Sequence, residues 1–161
     1  MILIVMGVAG SGKSTVGELL AQKLGCDFLE GDDFHPPSNR DKMARGQALT
    51  DEDRKPWLDT LERLVAGKLA LGQDAVLACS ALKQAYRDLL SGGRPGVKFI
   101  YLKADRNLIR TRLEARKSRH FPPTLMESQF EALEEPVGAW VADASVPPEA
   151  LVDEIMTRMR R

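Results

Sequence analysis

Cysteine and histidine are scarce: the 161 residues contain two of each. Cys26 and Cys79 show no CxxC spacing and no cluster of histidines stands beside them, which argues against structural zinc and against a disulfide framework. No charge of one sign predominates, since 23 basic side chains face 23 acidic ones. A general nucleic-acid surface needs a basic excess, so no nucleic-acid partner is expected. Long apolar runs are also missing. The longest, Met1 to Met6, has no basic residue before it and enters a glycine-rich stretch, so it reads as neither a signal peptide nor a membrane span. The expected compartment is the cytosol. Repeats, low-complexity tracts and linker-like stretches are absent as well, and the chain reads as one domain, residues 1–161.

What is present alternates. Ile2 to Met6 has the length and uniform apolarity of a strand buried on both faces. Lys13 to Leu24 carries Val16, Leu19, Leu20 and Leu24 at helical spacing and stops at Gly25. A short strand is expected over Cys26 to Glu30, then a polar loop from Gly31 to Pro37. Thr50 with Asp53 forms a capping box for a helix carrying Trp57, Leu61, Leu64, Val65 and Leu69, kinked or restarted by Pro56. Strands follow at Ala75 to Cys79 and Val97 to Leu102, with a helix over Leu82 to Leu90 between them. Asp105 caps another helix, and Thr124 with Glu127 reads as a second capping box. A last strand is expected over Gly138 to Ala142 and a last helix from Pro147 or Pro148. This order predicts an α/β fold of three layers, α/β/α, with a five-stranded parallel sheet and helices on both faces. Ligands then belong at the carboxyl ends of the strands.

Residues 7 to 14, Gly7-Val8-Ala9-Gly10-Ser11-Gly12-Lys13-Ser14, match G-x-x-x-x-G-K-[ST] at every defined position. Glycines let successive backbone N–H groups turn toward phosphate oxygens, and the helix that follows adds its positive N-terminal end. Lys13 would reach the β- and γ-phosphates and the Ser14 hydroxyl would bind magnesium, with Thr15 completing the cradle. The pattern predicts a P-loop NTPase fold that uses ATP with Mg2+.

The acceptor side is expected over residues 31–58 and after the third strand. Asp32 is the candidate base, with a further role at magnesium through a water; its neighbour Gly31 lets a substrate approach. His35 can donate to a substrate hydroxyl. Arg54, Ser80, Lys83 and Arg87 are candidate substrate ligands, Lys83 and Arg87 being one helical turn apart and so able to face one anion. Arg112, Arg116 and Arg119 share helical spacing and lead into a small lid, residues 117–123, that would close over the polyphosphate and exclude water. Charge is sorted along the chain: Arg106 to Arg119 is basic apart from Glu114, whereas Phe121 to Thr157 has no lysine or arginine.

Taken together, the P-loop, Gly31-Asp32-Asp33-Phe34-His35-Pro36-Pro37-Ser38-Asn39, Leu49-Thr50-Asp51-Glu52-Asp53-Arg54-Lys55-Pro56-Trp57-Leu58, Cys79-Ser80-Ala81-Leu82-Lys83, Arg119-His120-Phe121 and Ser128-Gln129-Phe130 resemble the gluconokinase family. That family is related to shikimate kinases and nucleoside monophosphate kinases. The resemblance implies transfer of the ATP γ-phosphate to the 6-hydroxyl of D-gluconate in a homodimer. Lys13, Asp32 and Arg119 are the expected catalytic residues. A shikimate-type or nucleoside monophosphate kinase is the alternative within enzymes. A non-catalytic nucleotide switch is a remote one.

Overall fold

A computed structural model of the chain describes residues 1–116 and 123–161. The strands β1 (Ile2–Met6), β2 (Asp27–Glu30), β3 (Ala75–Ala78), β4 (Val97–Lys103) and β5 (Trp140–Asp143) form one sheet in the order β2-β3-β1-β4-β5. All four pairings are parallel. β1 is central, as its uninterrupted apolarity requires, and every one of its residues is buried. Its side chains alternate between two cores. Ile2, Ile4 and Met6 pack with Trp57, Leu61, Val65 and Leu90, while Leu3 and Val5 pack with Val16, Leu20, Leu151 and Ile155.

The helices supplying those cores are α1 (Lys13–Leu24) and α7 (Pro148–Met159) on one face, and α3 (Asp51–Ala70) and α4 (Gln84–Ser91) on the other. The helices α5 (Arg106–Ala115) and α6 (Pro123–Ala132) cover the end of the sheet where β1 enters the P-loop. There Val8, Leu82, Ile109 and Met126 form a third, smaller cluster. The three-layer architecture and the five parallel strands agree with the sequence reading.

The structure departs from local expectation at three places. Gly31 to Pro37 is not a plain loop, since Gly31–Phe34 is a 3-10 turn and α2 (Pro37–Ala44) follows it. α2 was illegible because it carries no apolar stripe; Asn39 is its one buried residue. Pro56 neither kinks nor restarts a helix in this sense: α3 is continuous through it. A proline in the second turn forfeits one bond to the carbonyl of Glu52, an exposed residue whose carbonyl water can serve. Thr50 and Asp53 do make the reciprocal capping box. Thr124 and Glu127 do not form one, because α6 already begins at Pro123 and Glu127 Oε2 meets Arg106 Nε at 3.4 Å. Asp105 caps α5 through Leu108 N–H at 2.8 Å. The expected lid falls almost wholly on residues 117–122, outside the described residues, and Arg119 lies there with it.

Candidate active site

Parallel strands bring their carboxyl ends to one edge, and three of these ends build the site. β1 runs into the P-loop, β2 into Gly31 and Asp32, and β3 into Cys79 and Ser80. Gly7 N–H donates to Ser80 carbonyl at 3.3 Å, which ties the first loop to the third. Gly31 passes so close to β3 that a Cβ would meet the Ala78 carbonyl oxygen.

The cradle takes the backbone conformations that its pattern predicts. Gly10 and Gly12 have φ of 82° and 100°, and Gly12 caps α1. Both conformations disfavour any side chain. A Cβ at Gly7 would stand 2.9 Å from the Leu102 carbonyl. Lys13 Nζ donates to Val8 carbonyl at 3.0 Å. Burial pushes the Lys13 ammonium pKa down, opposed by the Asp32 carboxylate, so the site holds a cation whose solvation is incomplete. Phosphate oxygens would supply what is missing.

One cavity of about 700 Å³ joins this cradle to the acceptor side. Gly10, Gly12, Lys13, Ser14 and Thr15 line one end with Arg116; Arg40, Arg54, His35 and Trp57 line the other; Glu30, Asp32 and Ser80 lie along the same wall. Lys13, Ser14, Thr15, Asp32, His35, Arg54, Ser80 and Arg116 are therefore brought together as the sequence suggested. Asp32 is exposed to the cavity and its Oδ1 lies 3.9 Å from His35 Nε2. His35 is buried, stacked on Trp57 with ring centroids 4.1 Å apart, and burial pushes its pKa down. Burial thus favours its neutral imidazole over the charged form.

Other predicted ligands stand elsewhere. Arg87 does not face an anion: it is 3% exposed, and its guanidinium donates to the carbonyls of Ala81, Leu82 and Glu134 at 2.7, 3.0 and 2.7 Å. The helical pairing with Lys83 fails because α4 starts at Gln84 and Lys83 is its extended N-cap. Arg87 instead braces a turn in which Ala81 holds a φ of 45°, the one described non-glycine residue with positive φ. Lys83 pairs with Asp51 at 2.9 Å and lines an adjoining depression of about 320 Å³ that also reaches Arg54. Arg112 does not share a face with Arg116. It donates to the Gly10 and Ser11 carbonyls at 3.2 and 3.1 Å from behind the cradle, while Arg116 caps the end of α5 and turns to the cavity. Holding those carbonyls outward leaves the opposite side of the turn to its N–H groups.

Spacing and motif do not mark several further participants, Arg40 among them. Glu30 accepts a hydrogen bond from the Ser14 hydroxyl, and burial raises its carboxyl pKa against that bond. Its place at the last residue of β2 was the available signal. Gln129 reaches from α6 to accept from Ala9 N–H at 3.2 Å. Trp57 donates from Nε1 to Gly31 carbonyl at 2.7 Å, although its spacing marked it only as core.

This geometry agrees with the comparisons to known proteins. The shikimate kinase family model matches residues 9–159. A gluconokinase of Arabidopsis thaliana is 42% identical over 96% of this chain and 90% of its own, and the thermoresistant gluconokinase of Escherichia coli strain K12 is 44% identical over 94% and 89%. The chain belongs to the gluconokinase family, among the shikimate-kinase-type P-loop kinases. A crystal structure of a gluconokinase from Sinorhizobium meliloti 1021 superposes with a TM-score of 0.85 at 40% identity, covering 96% of this chain and 89% of that one. Among the described residues no helix is long and apolar enough to cross a membrane.

Proposed function

We propose that the chain phosphorylates D-gluconate at its 6-hydroxyl, using ATP and giving 6-phospho-D-gluconate and ADP. The observation that carries this reading is that one cavity is lined by the P-loop Lys13, by Asp32 and by the cations Arg40 and Arg54. A polyol carrying a carboxylate needs that combination: cations for the acid, polar groups for the hydroxyls, and a base beside the phosphoryl donor.

Asp32 takes the proton of the attacking hydroxyl as the new O–P bond forms and the bond from the γ-phosphorus to the ADP oxygen breaks. Lys13 stabilises charge on the transferring group. The donor set suits magnesium, because the Ser14 hydroxyl and Glu30 carboxylate put hard oxygens together at the rim of the cradle. Magnesium keeps several waters and phosphate oxygens in its shell, so these two side chains need no closed cage of protein ligands. When bound, it would neutralise the phosphate oxygens. Arg119, outside the described residues, is assigned charge stabilisation on its chemistry and its place in the family pattern. The reading includes the homodimer that the family resemblance implies and, with ATP as a substrate, a site of action inside the cell.

Acceptor profiling with Mg-ATP across gluconate, shikimate and nucleoside monophosphates tests this. The expected result is preferential turnover of gluconate, with phosphorus NMR placing the new ester on carbon 6. Faster turnover of shikimate would overturn the reading. A nucleotide-dependent binding partner with no small-molecule acceptor would replace it with a switch.

A further inference from the structure

The wall behind Asp32 contains a buried polar chain that the transfer step itself leaves unexplained. Asn39, 3% exposed, donates from Nδ2 to the backbone carbonyl of Asp53 at 2.8 Å. The same Nδ2 lies 3.2 Å from His35 Nδ1. A carbonyl oxygen can only accept, so the Asp53 contact decides which end of the Asn39 amide is nitrogen; the reversed amide would set two oxygens against each other. With Nδ2 identified, His35 Nδ1 must be the acceptor and carries no proton. In a neutral imidazole the proton is then on Nε2, the nitrogen that faces Asp32.

We infer that Asn39 is a positioning residue that locks His35 in its Nε2–H form, so that this ring presents a hydrogen-bond donor to a hydroxyl of the acceptor polyol beside Asp32. The 3.9 Å between Nε2 and Asp32 Oδ1 is too long for a direct bond. The two groups are thus left to engage the polyol, one as donor and one as acceptor. The reverse tautomer would place two acceptors side by side and leave a bound hydroxyl without its donor. The lock is well supported. Trp57 stacks on the ring and is itself held to Gly31 carbonyl, and behind Asn39 the Asp53 side chain closes the capping box and pairs with Lys42 at 2.7 Å. The charged groups facing His35 are Asp32, Arg54 and Arg40; the carboxylate favours a second proton, and burial with the two arginines opposes it.

This inference rests on the acceptor-site reading above but is tested separately from it. Long-range 1H–15N correlation spectra of the 15N-labelled enzyme near neutral pH report which ring nitrogen carries hydrogen, and with only two histidines in the chain His120→Gln assigns the signals. The expected result for His35 is a bare Nδ1 and a protonated Nε2. A protonated Nδ1, alone or with Nε2, overturns the inference whatever substrate the enzyme prefers.

Kinetics supply the second arm. Asn39→Asp offers only an acceptor to Nδ1 and should draw the proton there, lowering kcat about tenfold or more through the lost donor, with KM for ATP moved less than about twofold. In a His35→Gln background, where the carboxamide can turn to present a donor without help, Asn39→Asp should cost under about twofold. Equal losses in both backgrounds would make Asn39 a structural residue and overturn the lock. A confirmed Nε2–H form without gluconate turnover would overturn the substrate reading alone.

Discussion

The two ends of the cavity are built by different means. At the nucleotide end, one contiguous stretch of eight residues makes the cradle from backbone, and its glycines adopt conformations that few other residues reach. At the acceptor end, Asp32, His35, Arg40, Arg54, Trp57 and Ser80 come from four separate segments and are held by side chains. A backbone site is local and tolerates change around it. A side-chain site depends on every element that delivers a member, so damage to it can arise far from the chemistry.

The sharpest test of the contrast removes the two groups nearest the reaction. Lys13→Ala should lower kcat on the order of 10²–10³-fold, because a charge aimed at the transferring group is lost; near-normal turnover would break the cradle assignment. Asp32→Asn should cut kcat by about 10²-fold or more while leaving ATP binding close to normal, as expected of a base. Steady-state kinetics together with ATP titration would separate the two, and a defect confined to the KM for ATP would move Asp32 to the nucleotide end.

Trp57→Phe should show the dependence of the acceptor end on packing. It keeps a ring against His35 but loses the bond to Gly31 carbonyl, a buried hydrogen bond worth about 0.5–1.5 kcal/mol. Denaturant unfolding should register that loss, and the KM for gluconate should rise more than that for ATP. Equal effects on both substrates would mean that the two ends share one scaffold.

The smallest effect concerns the capping box behind Asn39. The Lys42 ammonium and the Thr50 backbone N–H hold the Asp53 carboxyl down at about 2, from an ordinary value of 3.8. A depressed acid contributes stability that is complete above its unfolded pKa and is lost as pH falls through its folded one. Wild type should therefore lose, between about pH 4 and pH 2, a stabilising contribution that Asp53→Asn lacks at every pH. Parallel acid-unfolding curves would show that the pair contributes nothing.

These contrasts also explain what could be read in advance. The P-loop was legible because its chemistry needs glycine, lysine and serine at fixed spacing within one strand, turn and helix. Asp32, His35, Arg54 and Ser80 were legible as types at strand or helix ends. Spacing alone misplaces Arg87, because it says which residues share a helix only if the helix includes them, and α4 starts one residue after Lys83. The charge of Arg112 suggests phosphate but does not say which oxygens it meets; here they are the carbonyls of Gly10, Ser11 and Ala144. Asn39 and the helix that carries it left no apolar pattern at all.

The sequence by itself determined the alternation of parallel strands and helices, the central place of β1 and the phosphate cradle, since each follows from local periodicity or from residues close together in the chain. Tertiary structure alone decided the direction of each polar side chain: Glu30 at the Ser14 hydroxyl, Arg87 against backbone carbonyls, and Asn39 between Asp53 and His35. A hydrogen bond is a relation between two groups, and for those residues the partner lies on another element.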